Sequence, residues 1–451
     1  YLYQGEEAGL GASAAWMAEG DQASAEFGTS VSVAGDVNGD GYSDLIVGAS
    51  HAALSALQAI RMQDAEGSVT LVTRDDALPY SPTVLPYVVS GRSAPERVAL
   101  KDGAWFEQNR VGFIRGAAVT SVDAAAKRAK LSSGEEIAYA KLLLATGAAP
   151  ILPPIPGLKD VEFHVLRSLD DAIGLHQALP QTKQAVVLGA GLVGMHAAEN
   201  LAKAGAQVSV VEMQPRVLAG YFDAEASAII EAAFAAKGIK LMLGAKVSRC
   251  ETAGKATRVT TDSGATLDAD LLLVAAGVAP VTDFLAGSGV AVDRGILVDD
   301  SMRSSVDGIW AAGDVAQAKG FYDGARTLNG ILPSAVEQGK IAGMAMAGDP
   351  AVKPWPGGVP LNTYTFFGQQ AVSVGSQDAG EVVRKEADAK HYLKIVMQDN
   401  RLTGIFGINV PFDPGVMWEI ILRRIDLSPV RAAFIAEPQK TARAIMSKTW
   451  R

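Results

Sequence analysis

The sequence predicts an α/β protein: two Rossmann-like dinucleotide-binding modules, a smaller α+β domain after them and a short β-type segment before them. Three observations carry this. From Leu45 onward apolar strands alternate with helix-like stretches, the order of a parallel sheet. One strand–turn–helix–strand plan occurs twice, at 45–75 and 185–214. After Gly348 that alternation gives way to a Pro/Gly-rich stretch, "VKPWPGGVP" (352–360), and then to strands such as "HYLKIVMQ" and "LTGIFGIN" mixed with helix-like runs.

The repeat is detailed. "LIVGASHAALSALQAIRMQDAEGSVTLVTRD" and "AVVLGAGLVGMHAAENLAKAGAQVSVVEMQ" each run apolar strand, Gly-rich turn, Ala/Leu-rich helix, apolar strand and polar end. Each is followed later by a two-period β stretch with an "SG" turn, at 117–150 and 245–280. The closing "ATGAAP" and "AAGVAP" share their Gly, Ala and Pro. The division expected is a partial segment over 1–44, a first module over 45–160 and 281–348, a second over 161–280, and a C-terminal domain over 349–451. The stretch 352–360 reads as a linker.

Composition narrows the function. With 451 residues, 49% hydrophobic and 20% charged, the chain has ample core and is not a disordered one. A net charge of −9 argues against a nucleic-acid or anionic-membrane surface. No run of about 18 apolar residues is present, so no membrane insertion is expected. Cys250 is the one cysteine, which excludes an internal disulfide, a CxxC pair and a cluster held by this chain alone. The chain opens on Tyr1 with no basic, then apolar, leader following, so no signal peptide is expected and the start reads as a fragment.

In the second module "GAGLVG" places Gly189, Gly191 and Gly194 directly after a strand and before a helix. The first permits the tight turn, the second lets backbone approach a pyrophosphate, and the third lets helix and strand pack closely. The phosphates then sit at the positive end of the helix. Glu212 ends the next strand about 20 residues on, where a carboxylate accepts both ribose hydroxyls and repels a 2′-phosphate. NAD(H) is therefore expected over NADP(H). In the first module Gly48, Ser50 and Ala53 stand where three glycines would. Ser50 carries a Cβ where backbone approach matters, though its hydroxyl can bond a phosphate, and Ala is tolerated third. Alone this turn is as readily a packing relic as a site, and the duplication decides for a site. Asp75, or its neighbour Asp76, is positioned to hold the ribose after "TLVTR". In "SVDGIWAAGDVA" a buried strand ends in Gly313 and Asp314, putting a carboxylate at the C-terminal edge of the sheet, where ligands bind in open α/β folds. By itself an Asp after Gly is more often a helix cap.

With these motifs the chain from Leu45 to about Gly348 resembles the FAD-dependent pyridine nucleotide–disulfide oxidoreductase superfamily, in which an NAD(P)H domain interrupts an FAD domain and an interface domain follows. The resemblance makes the Gly189 turn the NAD site, with Gly277 in it. It makes the Gly48 turn the FAD site, with Pro82, Thr146 and Gly147 contributing and Asp314 on the flavin ribityl chain. Within the superfamily residues 46–91 most resemble the FAD-bearing subunit of a multi-subunit 2-oxoacid dehydrogenase. Two departures matter. Disulfide- and peroxide-reducing members carry a cysteine beside the flavin, whereas "PTVLPY" has Thr83 there, and a hydroxyl cannot shuttle two electrons. His196 stands where members have a glutamate near the nicotinamide, and either poises that pocket or fills it.

Function follows by subtraction. NADH gives hydride as a pair, and flavin can release electrons singly. Without a thiol or a cluster, electrons must pass to or from another protein. The expectation is an FAD-dependent NAD(H):acceptor oxidoreductase, a cytoplasmic electron-transfer subunit in a hetero-oligomer, linking NAD to iron–sulfur partner subunits. The alternative is a stand-alone reductase for ferredoxin or rubredoxin. A third reading comes from the opening segment. Asp36, Asn38, Asp40 and Asp44 form D-x-N-x-D-G-x-x-D, alternate oxygen ligands suited to Ca2+. With "FGTSVSVAGD" before it, the segment resembles an integrin-type FG-GAP repeat of a calcium-binding propeller or adhesion protein. A propeller needs several blades, so the segment is read as a chimeric join at the shared "LIVGA".

Overall fold

The computed structural model describes residues 43–449, together with the paired strands Gly5–Glu6 and Gly9–Leu10. Of the four expected calcium ligands, Asp36, Asn38 and Asp40 lie outside the described residues. Asp44 opens strand β1 (Asp44–Val47), and its N–H donates to Ser68 O. Among the described residues no group of His, Cys, Asp or Glu is placed to hold a metal ion. The strand shared by the two readings belongs to the nucleotide-binding module: Leu45 and Ile46 are wholly buried in a parallel sheet.

That sheet has five strands. β1 is flanked by β2 (Val69–Val72) and then β3 (Val111–Ile114) on one side. On the other lie β4 (Leu142–Leu144) and the strand Ile309–Ala311, which returns from far along the chain. Leu142, Leu143 and Leu144 are fully buried, as a strand covered on both faces requires. Helix α1 (His51–Gln63) covers one face and packs on α4 (Leu332–Met346). A Cβ on Gly339 or Gly343 of α4 would fall 2.1 or 2.3 Å from the Ala52 or Ala56 carbonyl oxygen, so the helices meet backbone to backbone. Small residues at four-residue spacing on both helices make that approach possible.

The second module repeats the plan. β5 (Gln184–Leu188), α3 (Leu192–Lys203) and β6 (Gln207–Glu212) form its core, with Lys240–Leu243 and Leu271–Val274 completing a four-stranded parallel sheet. Each module carries its own three-stranded antiparallel meander, over 119–138 and 247–269. The two homologous tails then pair with each other: Ala148–Pro150 runs antiparallel to Val278–Pro280. This ribbon is where the chain leaves one module and re-enters it.

The C-terminal region is a five-stranded antiparallel sheet over 361–408, backed by helices Pro414–Leu422, Arg431–Ala436 and Pro438–Thr449. Its Tyr364, Phe366, Tyr392 and Phe406 share one apolar cluster with the second module. Tyr392 donates to Asp223 Oδ2 at 2.5 Å, and Lys385 approaches the same carboxylate at 3.2 Å. The stretch 352–360 is not a loose linker. Trp355 is buried, its N–H donates to Asp300 O and its Nε1 to Lys319 O. Among the described residues no helix is long and apolar enough to cross a membrane.

Candidate active site

Both turns are built alike. Gly48 and Gly189 end their first strands with φ of +111° and +106°. An added Cβ would lie 2.1 Å from Ala145 O and 2.4 Å from Ala275 O, so the chain crosses its neighbour too closely for any side chain. Gly191 caps α3, and a Cβ there meets nothing within 4 Å, which leaves its N–H groups open to a phosphate. Gly194 is pressed against Gly189 O. In the first module Ser50 caps α1, its Oγ 3.5 Å from Tyr80 O, and Ala53 is fully buried against the sheet. Backbone cradle, helix N-terminus and strand edge therefore fit a dinucleotide in both modules.

The two strand ends, where ribose partners were expected, differ. Glu212 accepts from Ala190 N through Oε2 and from Gln214 N through Oε1, both at 2.7 Å, which orients the carboxylate at the strand end. Gly189 N donates to Val211 O and Gly48 N to Val72 O, each at 2.8 Å. The residue equivalent to Glu212 is therefore Thr73, and Asp75 lies two residues beyond. Thr73 Oγ1 accepts from Asp75 N at 3.3 Å, the counterpart of the Gln214 contact. Asp75 instead takes the hydroxyl of Tyr80, at 3.2 Å, and Tyr80 in turn accepts from Leu169 N. Burial, with Asp75 beside it, pushes the Tyr80 hydroxyl up to about 12.

Asp314 sits on a short helical turn after the strand Ile309–Ala311, and Gly313 N donates to the buried Gln338 Oε1. Asp314 Oδ2 is paired with Arg167 at 2.8 Å, and the same guanidinium holds Ala148 O. Arg167, contributed from the second module's segment, was not among the residues expected from sequence. Both partners are about three-quarters buried, and the Arg167 side chain passes beside Gly147. The Thr146 hydroxyl donates to Val281 O, tying the two crossing strands. Gly277, with φ +106°, faces Ile151 across them.

Pro82 opens a 3-10 turn that carries Thr83 and leads into α2 (Leu85–Val89). Thr83 is exposed, and its hydroxyl bonds Ser81, which bonds His51. α2 is held by the second module, through Asn200 Nδ2 to Pro86 O and His176 to Val89 O. His196 lies on α3 with its ring edge-on to Tyr364, 4.6 Å between centroids. Burial lowers its proton affinity, with Glu199 opposing. The contact made by His196 is thus with the C-terminal sheet. Cys250, the one thiol, is buried in the second meander, where its N–H donates to Pro156 O and burial raises its proton affinity.

Two nucleotide cradles joined by a crossing ribbon define a flavin- and pyridine-nucleotide-dependent oxidoreductase. Residues 42–339 match the family described as pyridine nucleotide-disulphide oxidoreductase, and the chain belongs to that family. It is 56% identical over 412 residues to the NADH-dependent phenylglyoxylate dehydrogenase subunit epsilon of Aromatoleum evansii, covering 90% of this chain and 98% of that one. It is 30% identical to the rubredoxin-NAD(+) reductase of Pseudomonas putida, covering 69% of this chain and 82% of that one. Among solved structures, a ferredoxin reductase from Rhodopseudomonas palustris superposes with TM-score 0.74 at 27% identity, over 81% of this chain and 91% of that one. The reductase–putidaredoxin complex superposes at 0.81 with 23% identity, over 90% and 98%, a likeness of fold. A family member with one buried cysteine is an oxidoreductase without a redox disulfide.

Proposed function

We propose that this chain is the FAD- and NAD-binding electron-transfer subunit of a 2-oxoacid dehydrogenase of the phenylglyoxylate type, exchanging electrons between NAD(H) and iron–sulfur partner subunits. The observation that carries the reading is Thr83: the place that the family resemblance sets beside the flavin holds an exposed hydroxyl, and the one thiol is buried in a meander. Identity of 56% across nearly the whole of the epsilon subunit supports the assembly in which it works. The units are an FAD-binding part over 45–160 and 281–348, an NAD-binding part over 161–280 and an interface part over 349–451.

FAD, when bound, supplies the conversion between a hydride and single electrons. The chain's own residues bind and orient. Gly189, Gly191 and the start of α3 take the NAD pyrophosphate, and Glu212 takes its ribose. Gly48, Ser50 and the start of α1 take the FAD pyrophosphate. Asp314, steadied by Arg167, accepts hydroxyls of the ribityl chain. The acceptor-side reading with ferredoxin or rubredoxin alone draws on the rubredoxin reductase likeness. Isolation from the source organism separates the two. Co-purification with cluster-bearing subunits at fixed stoichiometry supports the assembly; a chain isolated alone that reduces rubredoxin with NADH supports the stand-alone reductase.

A further inference from the structure

A hydride is two electrons and one proton, and an iron–sulfur centre takes only electrons, one at a time. The function read above therefore leaves a proton to be moved whenever electrons pass between flavin and cluster. Three side chains form one unbroken hydrogen-bonded line that ends on Thr83, the residue read above as standing beside the flavin. Thr83 Oγ1 and Ser81 Oγ are 2.7 Å apart, and Ser81 Oγ and His51 Nε2 are 2.8 Å apart. Each member can both donate and accept, so a proton can travel either way by successive bond exchange.

The line has two different ends. Thr83 is exposed on the turn that Pro82 starts, and His51 is half-buried as the first residue of α1. Burial lowers the proton affinity of His51, so its imidazole is neutral at neutral pH and keeps one nitrogen free to accept. The turn between them is held in place, because Tyr80, directly before Ser81, is clamped between Asp75 and Leu169 N. A fixed line of donors and acceptors is what a proton path requires and what packing alone does not.

We propose that Thr83, Ser81 and His51 are a proton relay between the flavin and solvent, which parts the proton of each hydride from its electrons. The relay rests on the function proposed above. With NADH as donor, the two electrons leave singly and reduce two oxidised iron–sulfur centres. The proton left behind breaks its bond to the flavin and goes to Thr83, Thr83 gives its own to Ser81, and Ser81 gives its own to His51 Nε2. His51 then releases the proton on Nδ1 to solvent. With reduced clusters as donor the same line brings one proton in, and two electrons plus that proton leave as hydride to NAD+. Hydride transfer between NADH and flavin draws no solvent proton and does not need the line.

Stopped-flow on the flavin-loaded protein resolves the half-reactions, with NADH as reductant and an oxidised [2Fe–2S] ferredoxin as acceptor. S81A is expected to be reduced by NADH at the wild-type rate, and both S81A and T83V to be reoxidised about 100-fold more slowly, the scale of a lost proton-transfer group. T83S, which keeps the hydroxyl, is expected to reoxidise as the wild type does. A solvent deuterium isotope effect is expected on reoxidation and not on reduction. In the flavin-free protein, 15N NMR should show His51 Nε2 as a hydrogen-bonded acceptor, and S81A should shift that resonance. Equal reoxidation in all variants, or an unmoved His51 resonance, would overturn the relay. Failure of NADH to reduce even the wild type would remove the proposed function itself.

Discussion

At the end of its second strand each module makes the same backbone contact, Gly48 to Val72 and Gly189 to Val211. One residue later they part, with Thr73 in the first and Glu212 in the second. The backbone of the duplicated unit is alike where sheet geometry demands it, while the side chains at the strand end have diverged. Glu212 collects two backbone N–H groups and presents a fixed carboxylate. Thr73 keeps one of those contacts and presents no charge. The nearby carboxylate, Asp75, is turned to Tyr80, whose hydroxyl also accepts from Leu169 N of the second module. So the second module keeps its acidic group at the strand end, held by two backbone N–H groups. The first module uses its own to hold the two modules together.

The largest effects expected separate backbone from ligand contacts. G48A and G189A each force a side chain onto a carbonyl and into positive φ, a strain of about 1–3 kcal/mol before the clash is counted. Thermal melts should fall sharply for both, with flavin lost in G48A. G191A meets open space, so it should melt near the wild type while binding NADH poorly. A G191A as unstable as G189A would break the distinction.

Next come the ribose positions. E212A removes a fixed carboxylate and should weaken NADH binding about 10- to 100-fold, the range for hydrogen bonds to a charged group. T73V should change flavin retention by about two- to tenfold at most, as expected for a neutral partner. Equilibrium titration of NADH and flavin measures both. Equal losses would mean that the modules have not diverged.

A spectroscopic contrast follows. T83C puts a thiol where the first module now has a hydroxyl, within reach of the Ser81–His51 line. Its thiolate should add a long-wavelength charge-transfer band to the oxidised flavin, absent from the wild type. No new band at any pH would mean that Thr83 does not stand beside the flavin.

The smallest effect concerns pH. His196, in the second module, has its proton affinity lowered by burial against Tyr364. As pH falls below about 6.5 the unfolded chain takes up the proton first, so stability drops going down and rises going up through that window. H196Q should flatten that part of the melting-temperature profile, read by differential scanning calorimetry across pH 5 to 7 (a window set by the ordinary histidine value of about 6.5).

Much of this was legible in sequence, and the parts that were not have physical reasons. Strand, turn and helix of both modules are local, written in apolar runs and in glycines that sheet geometry requires. Asp314 could be placed because it ends a buried strand. Arg167 could not: it meets Asp314 from 147 residues away, and nothing around "VLRSLDD" marks it except the helix cap that follows. Asp75 was read from sequence as a ribose partner, and the strand pairing puts Thr73 at the place equivalent to Glu212. That equivalence cannot be counted from the glycines, because the stretch from Gly48 to Thr73 is two residues longer than that from Gly189 to Glu212. His51, Ser81 and Thr83 were all visible, but their line exists only once the turn is folded back on α1. The stretch 352–360 has the composition of a linker, yet Trp355 anchors it, and one aromatic among prolines is a weak signal.

The most direct test of a thiol-free route from NAD(H) through flavin is an anaerobic titration of the purified protein with NADH, followed by flavin absorbance. Bleaching complete at about one NADH per chain is predicted, since one hydride reduces one flavin. A flavin that stays yellow with NADH yet bleaches with dithionite would contradict the account.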